Sequence, residues 1–340
     1  MRWRNPRPIF GVLLTILVSG TSVQAAPVRF KAGTLAPEGS PWLNTWNEFV
    51  AHVEANSGVD AKIVTYPGGV MGDEADMVRK LKFGQLQMVG VTVAGIAHLM
   101  PEILVLNLPF LFNNYDEVDY VVGKLFDRFQ EIAATRGLYL VGLLDQGWIE
   151  AYSKRRVGSP EEFIKQRVWI WNEDRIALTL AKKLGINGVM LPVPEVLTSL
   201  QTGLIDSMFS SSTALVSLQW HTQMKYYYPF RLRYDPAAFM ISEKALKKLA
   251  PADQQKFRQQ IRASWAETFG KAAADFRKTE QELARQVVDG GVEVVQWDRK
   301  AADGLIAKAR ETWKELAGDL YPAELLDDVL AALKAFRAAH

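Results

Sequence analysis

Apolar residues alternate with polar ones over Val28–Ala32 and recur through the short run Ala61–Tyr66, whereas in Trp42–Asn56 they return every third or fourth position. The first period belongs to half-buried strands and the second to an amphipathic helix, so the chain opens as βαβ, the pattern of an α/β domain. Glu74–Phe83 then reads as helix, and Met88–Val93 and Leu138–Leu144 as buried strands. Beyond Gly147 the alternation resumes: strands at Arg167–Trp171, Val189–Leu191 and Ser207–Ser210, helices at Arg175–Leu184 and Pro194–Thr202. Two α/β lobes follow, and open α/β sheets bind ligands at the carboxyl ends of their strands. From Pro251 to Asp289 the sequence is almost unbroken helix former. Phe257, Ile261, Trp265 and Phe269 share one stripe that Phe276, Leu283 and Val287 continue. Such a helix is roughly 55 Å long, enough to bridge both lobes.

The amino terminus breaks this pattern. Arg2, Arg4 and Arg7 precede the apolar run Ile9–Val18, which leads into Val23-Gln24-Ala25-Ala26. This reads as a cleavable secretory signal peptide over residues 1–25, which implies a periplasmic protein. The expected division gives residues 26–146 plus 235–274 to the first lobe and 147–234 plus 275–340 to the second, with 251–289 spanning both. The stretch Trp313–Phe336 is amphipathic and suits packing or dimerisation.

Composition removes several function classes. The chain has no cysteine, so it carries no disulfide framework, thiolate metal site or cysteine-linked lipid. Its net charge is close to zero without the leader, and no basic stripe interleaves with aromatics, so nucleic acid is not an expected partner. His52, His98, His221 and His340 are too scattered for a metal site. There is no Gly-x-Ser-x-Gly elbow, phosphate-cradling glycine loop or dinucleotide fingerprint. No enzyme, cofactor or metal is expected. Asp73, Glu74 and Asp76 open a helix, where capping and dipole effects account for them, although Glu74 could also face a cleft.

Five segments together resemble the periplasmic substrate-binding proteins of tripartite ATP-independent periplasmic (TRAP) transporters. They are GTLAPEGSPW at Gly33–Trp42, YPGGVMGDEADMVRKLKFGQLQMVGV at Tyr66–Val91, LNLPFLFNNYDE at Leu106–Glu117, SPEEFIKQRVWIWNEDRIALTLAKKLG at Ser159–Gly185 and LQTGLIDSMFSSS at Leu200–Ser212. The resemblance implies two α/β lobes joined by hinge strands and a long helix, closing on a ligand that passes to a membrane permease. Three departures stand out. Trp169 occupies the place of the family's ligand-clamping arginine, Ile149 that of the arginine in a Gly-Phe-Arg element, and Phe209 with Ser210 that of an amide-bearing Glu-Asn pair.

Arginine normally holds a ligand carboxylate as a bidentate fork and offsets its desolvation. A cleft lined by Trp148, Trp169, Trp171 and Phe209 instead favours a small apolar or aromatic ligand. Ser210, Ile149, Glu74, Leu35, Thr92 and Phe110 complete the expected site. A branch of the family that lacks the arginine and works with tetratricopeptide-repeat partners is the nearest likeness. Two alternatives stay open. One is an organic-acid receptor whose cation comes from Arg175, Arg231 or Arg233; the other is a lipid carrier or sensor module docking a partner protein.

Overall fold

A computed structural model describes residues 27–340, so the leader expected at residues 1–25 lies outside the described residues. The strands are β1 (Val28–Thr34), β2 (Ala61–Tyr66), β3 (Met88–Thr92), β4 (Leu138–Ser153), β5 (Val168–Trp171), β6 (Gly188–Leu191), β7 (Ser207–Ser210), β8 (Tyr226–Ser242) and β9 (Glu293–Val294). They are ordered β2-β1-β3-β8-β4-β7-β5-β6, with β9 beside β8. Parallel β1, β2 and β3 build the first lobe, and parallel β5, β6 and β7 the second. This is the two-lobe α/β architecture with hinge strands and a long helix that the sequence implies.

Strands β4 and β8 belong to both lobes. They pair antiparallel from Leu138↔Ser242 to Ser153↔Tyr226. One end of β8 is flanked by β3 and the other by β9, while the far end of β4 is flanked by β7. Irregularities at Leu140/Gly142, Asp145/Gly147 and Ile149/Ala151 interrupt the ladder as it passes between the lobes. Bulges of this kind bend and twist a pair of strands. The sequence reading ends the first of these strands at Leu144 and assigns Tyr226–Pro229 to no strand. Tyr227 and Tyr228 are instead ladder residues, with Tyr152 stacked on Tyr227 at 5.0 Å.

The bridging helix runs without a break from Pro251 to Asp289, but Ala266–Gly270 is a π turn between two α segments. Phe257, Ile261, Phe269 and Phe276 are buried along it. Trp265 lies so close to Gly142 of β4 that an added Cβ at the glycine would come within 2.1 Å of the indole. Further along, Glu280 accepts from the Trp148 backbone N–H at 2.6 Å and from the Tyr115 hydroxyl.

The carboxyl-terminal stretch differs from expectation. It forms two helices, Arg299–Leu316 and Ala323–Ala339, parted at Gly318, whose φ is +87°. The first lies along Arg175–Leu184 of the second lobe. The last packs on the long helix Tyr115–Thr135, so it does not join the second lobe as the expected 275–340 assignment required. Its Leu325, Leu326, Val329 and Leu333 bury into the core that holds Val118 and Val121, and Arg337 binds Glu117 at 2.7 and 2.8 Å.

Gly147 sits where β4 crosses between lobes, with φ +109°, and a Cβ there would meet Glu280 Oε1 at 2.3 Å. Gly147→Ala combines left-handed backbone strain with overpacking, so it should cost about 3 kcal/mol, read as a lower denaturation midpoint.

Candidate functional site

A cavity of about 180 Å³ lies between the lobes at the carboxyl ends of the strands. From the first lobe come Leu35 after β1, Glu74 at the start of the helix Glu74–Lys82, and Thr92 at the end of β3. From the second lobe come Trp169 and Trp171 of β5, Phe209 and Ser210 of β7, and Val193. Ile149, Arg233 and Asp235 come from the crossing strands.

Eight of the ten expected site residues therefore share one cavity wall. The other two, Trp148 and Phe110, do not. Trp148 is buried against Tyr115 and Tyr234, with the Arg231 guanidinium 5.0 Å from its ring centre. Glycine precedes it, and the twist at that point carries its side chain into the hinge core. Phe110, at φ +55°, stacks edge-on against Phe230.

The expected aromatic wall is also divided. Trp169 aligns with Met208 in the β5–β7 pairing, so the two share a face of the sheet. Phe209 is one residue on and points to the other face, because side chains alternate along a strand. Trp169 packs edge-on with Trp220 and donates its Nε1–H to the Leu191 carbonyl at 3.0 Å. Phe209 packs instead on Phe163. The cavity wraps round the strand ends and touches both faces.

Polar groups are few and nearly all paired. Glu74 Oε1 accepts from the Thr92 amide at 2.9 Å and Oε2 from the Thr92 hydroxyl at 2.7 Å. Burial pushes its carboxyl up to about 8, a rise that the Thr92 bonds only partly oppose. Asp235 is enclosed by protein, although part of its surface opens to the cavity, and burial raises it to about 7 against the pull of Arg233. Its Oδ1 accepts from the Asn107 amide at 2.7 Å. Arg233 is buried and forks onto Asp174, which also caps the helix Arg175–Leu184 through the Ala177 amide.

Of the three arginines weighed as a relocated cation, only Arg233 reaches the cavity. Arg175 pairs with Asp319 at the surface, and Arg231 covers Trp148. Among the described residues no cluster of acids and histidines suits a metal ion.

Asp73 and Asp174 escape a reading by family register. Asp73 Oδ2 accepts from the Trp171 indole and the Val193 amide, both at 3.1 Å, so a first-lobe cap holds the second lobe directly. His98 and Glu173 add a second link across the lobes at 2.8 Å.

A hinged pair of α/β lobes with a ligand-sized, mostly apolar chamber between them defines the class of two-lobe solute receptors. Residues 32–319 match the family model described as bacterial extracellular solute-binding protein, family 7 (DctP), and the chain belongs to that family. The uncharacterized protein YiiZ of Salmonella typhimurium is 28% identical over 73% of this chain and 76% of its own length. The 2,3-diketo-L-gulonate-binding periplasmic protein YiaO of Escherichia coli is 24% identical over 74% of this chain and 76% of its own. A crystal structure of a TRAP periplasmic solute binding protein from Xanthobacter autotrophicus Py2, with bound β-D-galacturonate, superposes with a TM-score of 0.81. That pair is 20% identical, and the match covers 90% of this chain and 99% of the other. The protein is thus a periplasmic solute-binding receptor of the TRAP type, and its family and structural neighbours are binding proteins rather than enzymes.

Two variants probe this site. Glu74 titrates near 4.5 in an unfolded chain and near 8 when folded. Below pH 4.5 both states hold the proton; between pH 4.5 and 8 ionisation favours the unfolded chain, and above 8 the loss is complete. Glu74→Gln keeps both Thr92 contacts without that loss, so its melting temperature should exceed the parent's by a margin that grows from pH 5 to pH 9. Asp73→Ala removes two charge-assisted bonds between lobes, each about 1.5–3 kcal/mol. The unliganded variant should give a larger radius of gyration by X-ray scattering.

Proposed function

We propose that the receptor captures a small monocarboxylic acid with a largely apolar body and hands it to a TRAP permease, without chemical change. The observation that carries this reading is Arg233, the guanidinium on the wall of a mostly apolar cavity. Asp174 uses two of its five N–H donors, and Nε has no partner. A ligand carboxylate would complete the fork's bonding from the cavity side. The aromatic wall of Trp169, Trp171 and Trp220 would cover the rest of the ligand. The sugar-acid names of two similar proteins support an acid head group; the lining supports an apolar body.

Charge balance fits an acid. Arg233 and Asp174 cancel, Glu74 largely holds its proton at neutrality, and Asp235 holds its own below about pH 7, so a carboxylate meets little net negative charge on the wall at mildly acid pH. Ligand contacts from both lobes would stabilise the closed arrangement over an open one, a shift of population about the β4–β8 hinge. Delivery is proposed to the TRAP membrane permease. A second reading, a neutral apolar ligand, is favoured by the Asp174 pairing, which leaves Arg233 already neutralised.

The two readings separate by pH. An acid should bind best below pH 7 and weaken as Asp235 and Glu74 ionise near 7 and 8, because their charge repels it. A neutral ligand should bind equally across that range. Removing Arg233 alone would strand buried Asp174, at about 3–5 kcal/mol, so the informative variant is the double change Arg233→Gln with Asp174→Asn. It should fold yet lose affinity by about 2 kcal/mol or more in calorimetry against whatever acid native mass spectrometry finds co-purified. Unchanged affinity would sink the assignment of Arg233.

A further inference from the structure

Resting on the acid reading above, we propose that the chamber beneath the helix Arg175–Leu184 is a tail subsite. It makes the ligand an amphipathic monocarboxylic acid with an alkyl or aryl-alkyl chain rather than a compact polyhydroxy acid. The cavity lining that holds Arg233 and Asp174 also includes Ala177, Leu180 and Leu184, which stand three and four residues apart on one face of that helix. Asp174 caps the same helix, so the head-group cation sits at its start and the apolar row leads away from it. From Ala177 to Leu184 the row is about 10 Å long.

Ile170 and Phe209, on the sheet face opposite Trp169, form the floor, and Phe163 closes the side. None of these six side chains carries a hydrogen-bonding group. A sugar acid placed with its carboxylate at Arg233 and its body in this chamber would bury hydroxyls without partners, which penalises it. An alkyl chain gains there instead, by about fourfold in affinity per buried methylene. The Phe209 departure from the family pattern then has a use: a polar residue there would put an unpaired group in the tail chamber.

The test is calorimetry of the full mature protein with butanoate, hexanoate, octanoate, decanoate and galacturonate, against the variant Leu184→Trp. Affinity should climb about fourfold per added methylene through octanoate, and galacturonate should bind more weakly than octanoate. Leu184→Trp, at the end of the row farthest from Arg233, should cut the gain from the longer chains while leaving butanoate unchanged; Leu184→Phe serves the same end should the first variant fold poorly. A flat series in the parent, tighter binding of galacturonate, or equal loss of butanoate and octanoate in the variants would overturn the tail subsite. The first two of those results leave the acid reading intact. Octanol binding as tightly as octanoate would instead overturn the acid head at Arg233 while a chain-length climb still supported the chamber.

Discussion

The antiparallel ladder of β4 and β8 is the constraint on which the rest of the structure depends. Two strands of sixteen and seventeen residues pass through both lobes, so each lobe's sheet is completed by hydrogen bonds that also tie it to the other. Such strands cannot part without breaking both sheets. Relative movement is therefore confined to the irregular stretch between Leu140 and Ala151, where the register slips three times. The spanning helix reinforces this with two contacts of different kinds. Trp265 fills the space left by Gly142, and Glu280 accepts bonds at the point where Gly147 turns the chain. The π turn lies directly after Trp265, where the helix must bring Phe269 and Phe276 round to the core.

The cavity follows from that geometry. Strand ends of both lobes converge on the crossing, and the residues of β8 nearest it, Arg233 and Asp235, are carried into the wall by the ladder rather than by a loop. Rigid placement matters for a buried charge, because a guanidinium in an apolar chamber is tolerable only if its partner is fixed. Asp174 supplies that partner from the second lobe while capping the helix that roofs the tail chamber. Head-group chemistry and tail chamber thus share one structural element. Asp73 repeats the arrangement from the other side: one carboxylate caps its helix and holds Trp171 and Val193 across the gap.

The family resemblance implies polar ligand contacts at the positions of Ile149, Trp169 and Phe209, and the structure gives these three residues different surroundings. Trp169 retains a fixed role in its own lobe through its bond to Leu191 and its contact with Trp220. Phe209 belongs to another compartment and joins the packing that encloses Ile170 and Phe163. Ile149 lies at the crossing, beside Arg233 in the ladder. Arg233, on the strand beside Ile149, is the arginine that lines the cavity.

The sequence by itself determined the alternation of strands and helices, the two-lobe class and the long helix. Those features rest on period, spacing and residue type, which are local. It also pointed to Glu74, Leu35, Thr92 and Ser210 through family register. It could not show that Trp169 and Phe209 face opposite ways, since that depends on how β5 and β7 align. Nor could it show that Trp148 turns into the hinge core, or that the last helix returns to the first lobe. Choosing Arg233 over Arg175 and Arg231 was likewise a tertiary decision. All three are arginines near apolar sequence, and only the pairing of β8 with β4 places one of them on the cavity wall, with the buried carboxylate that keeps it there.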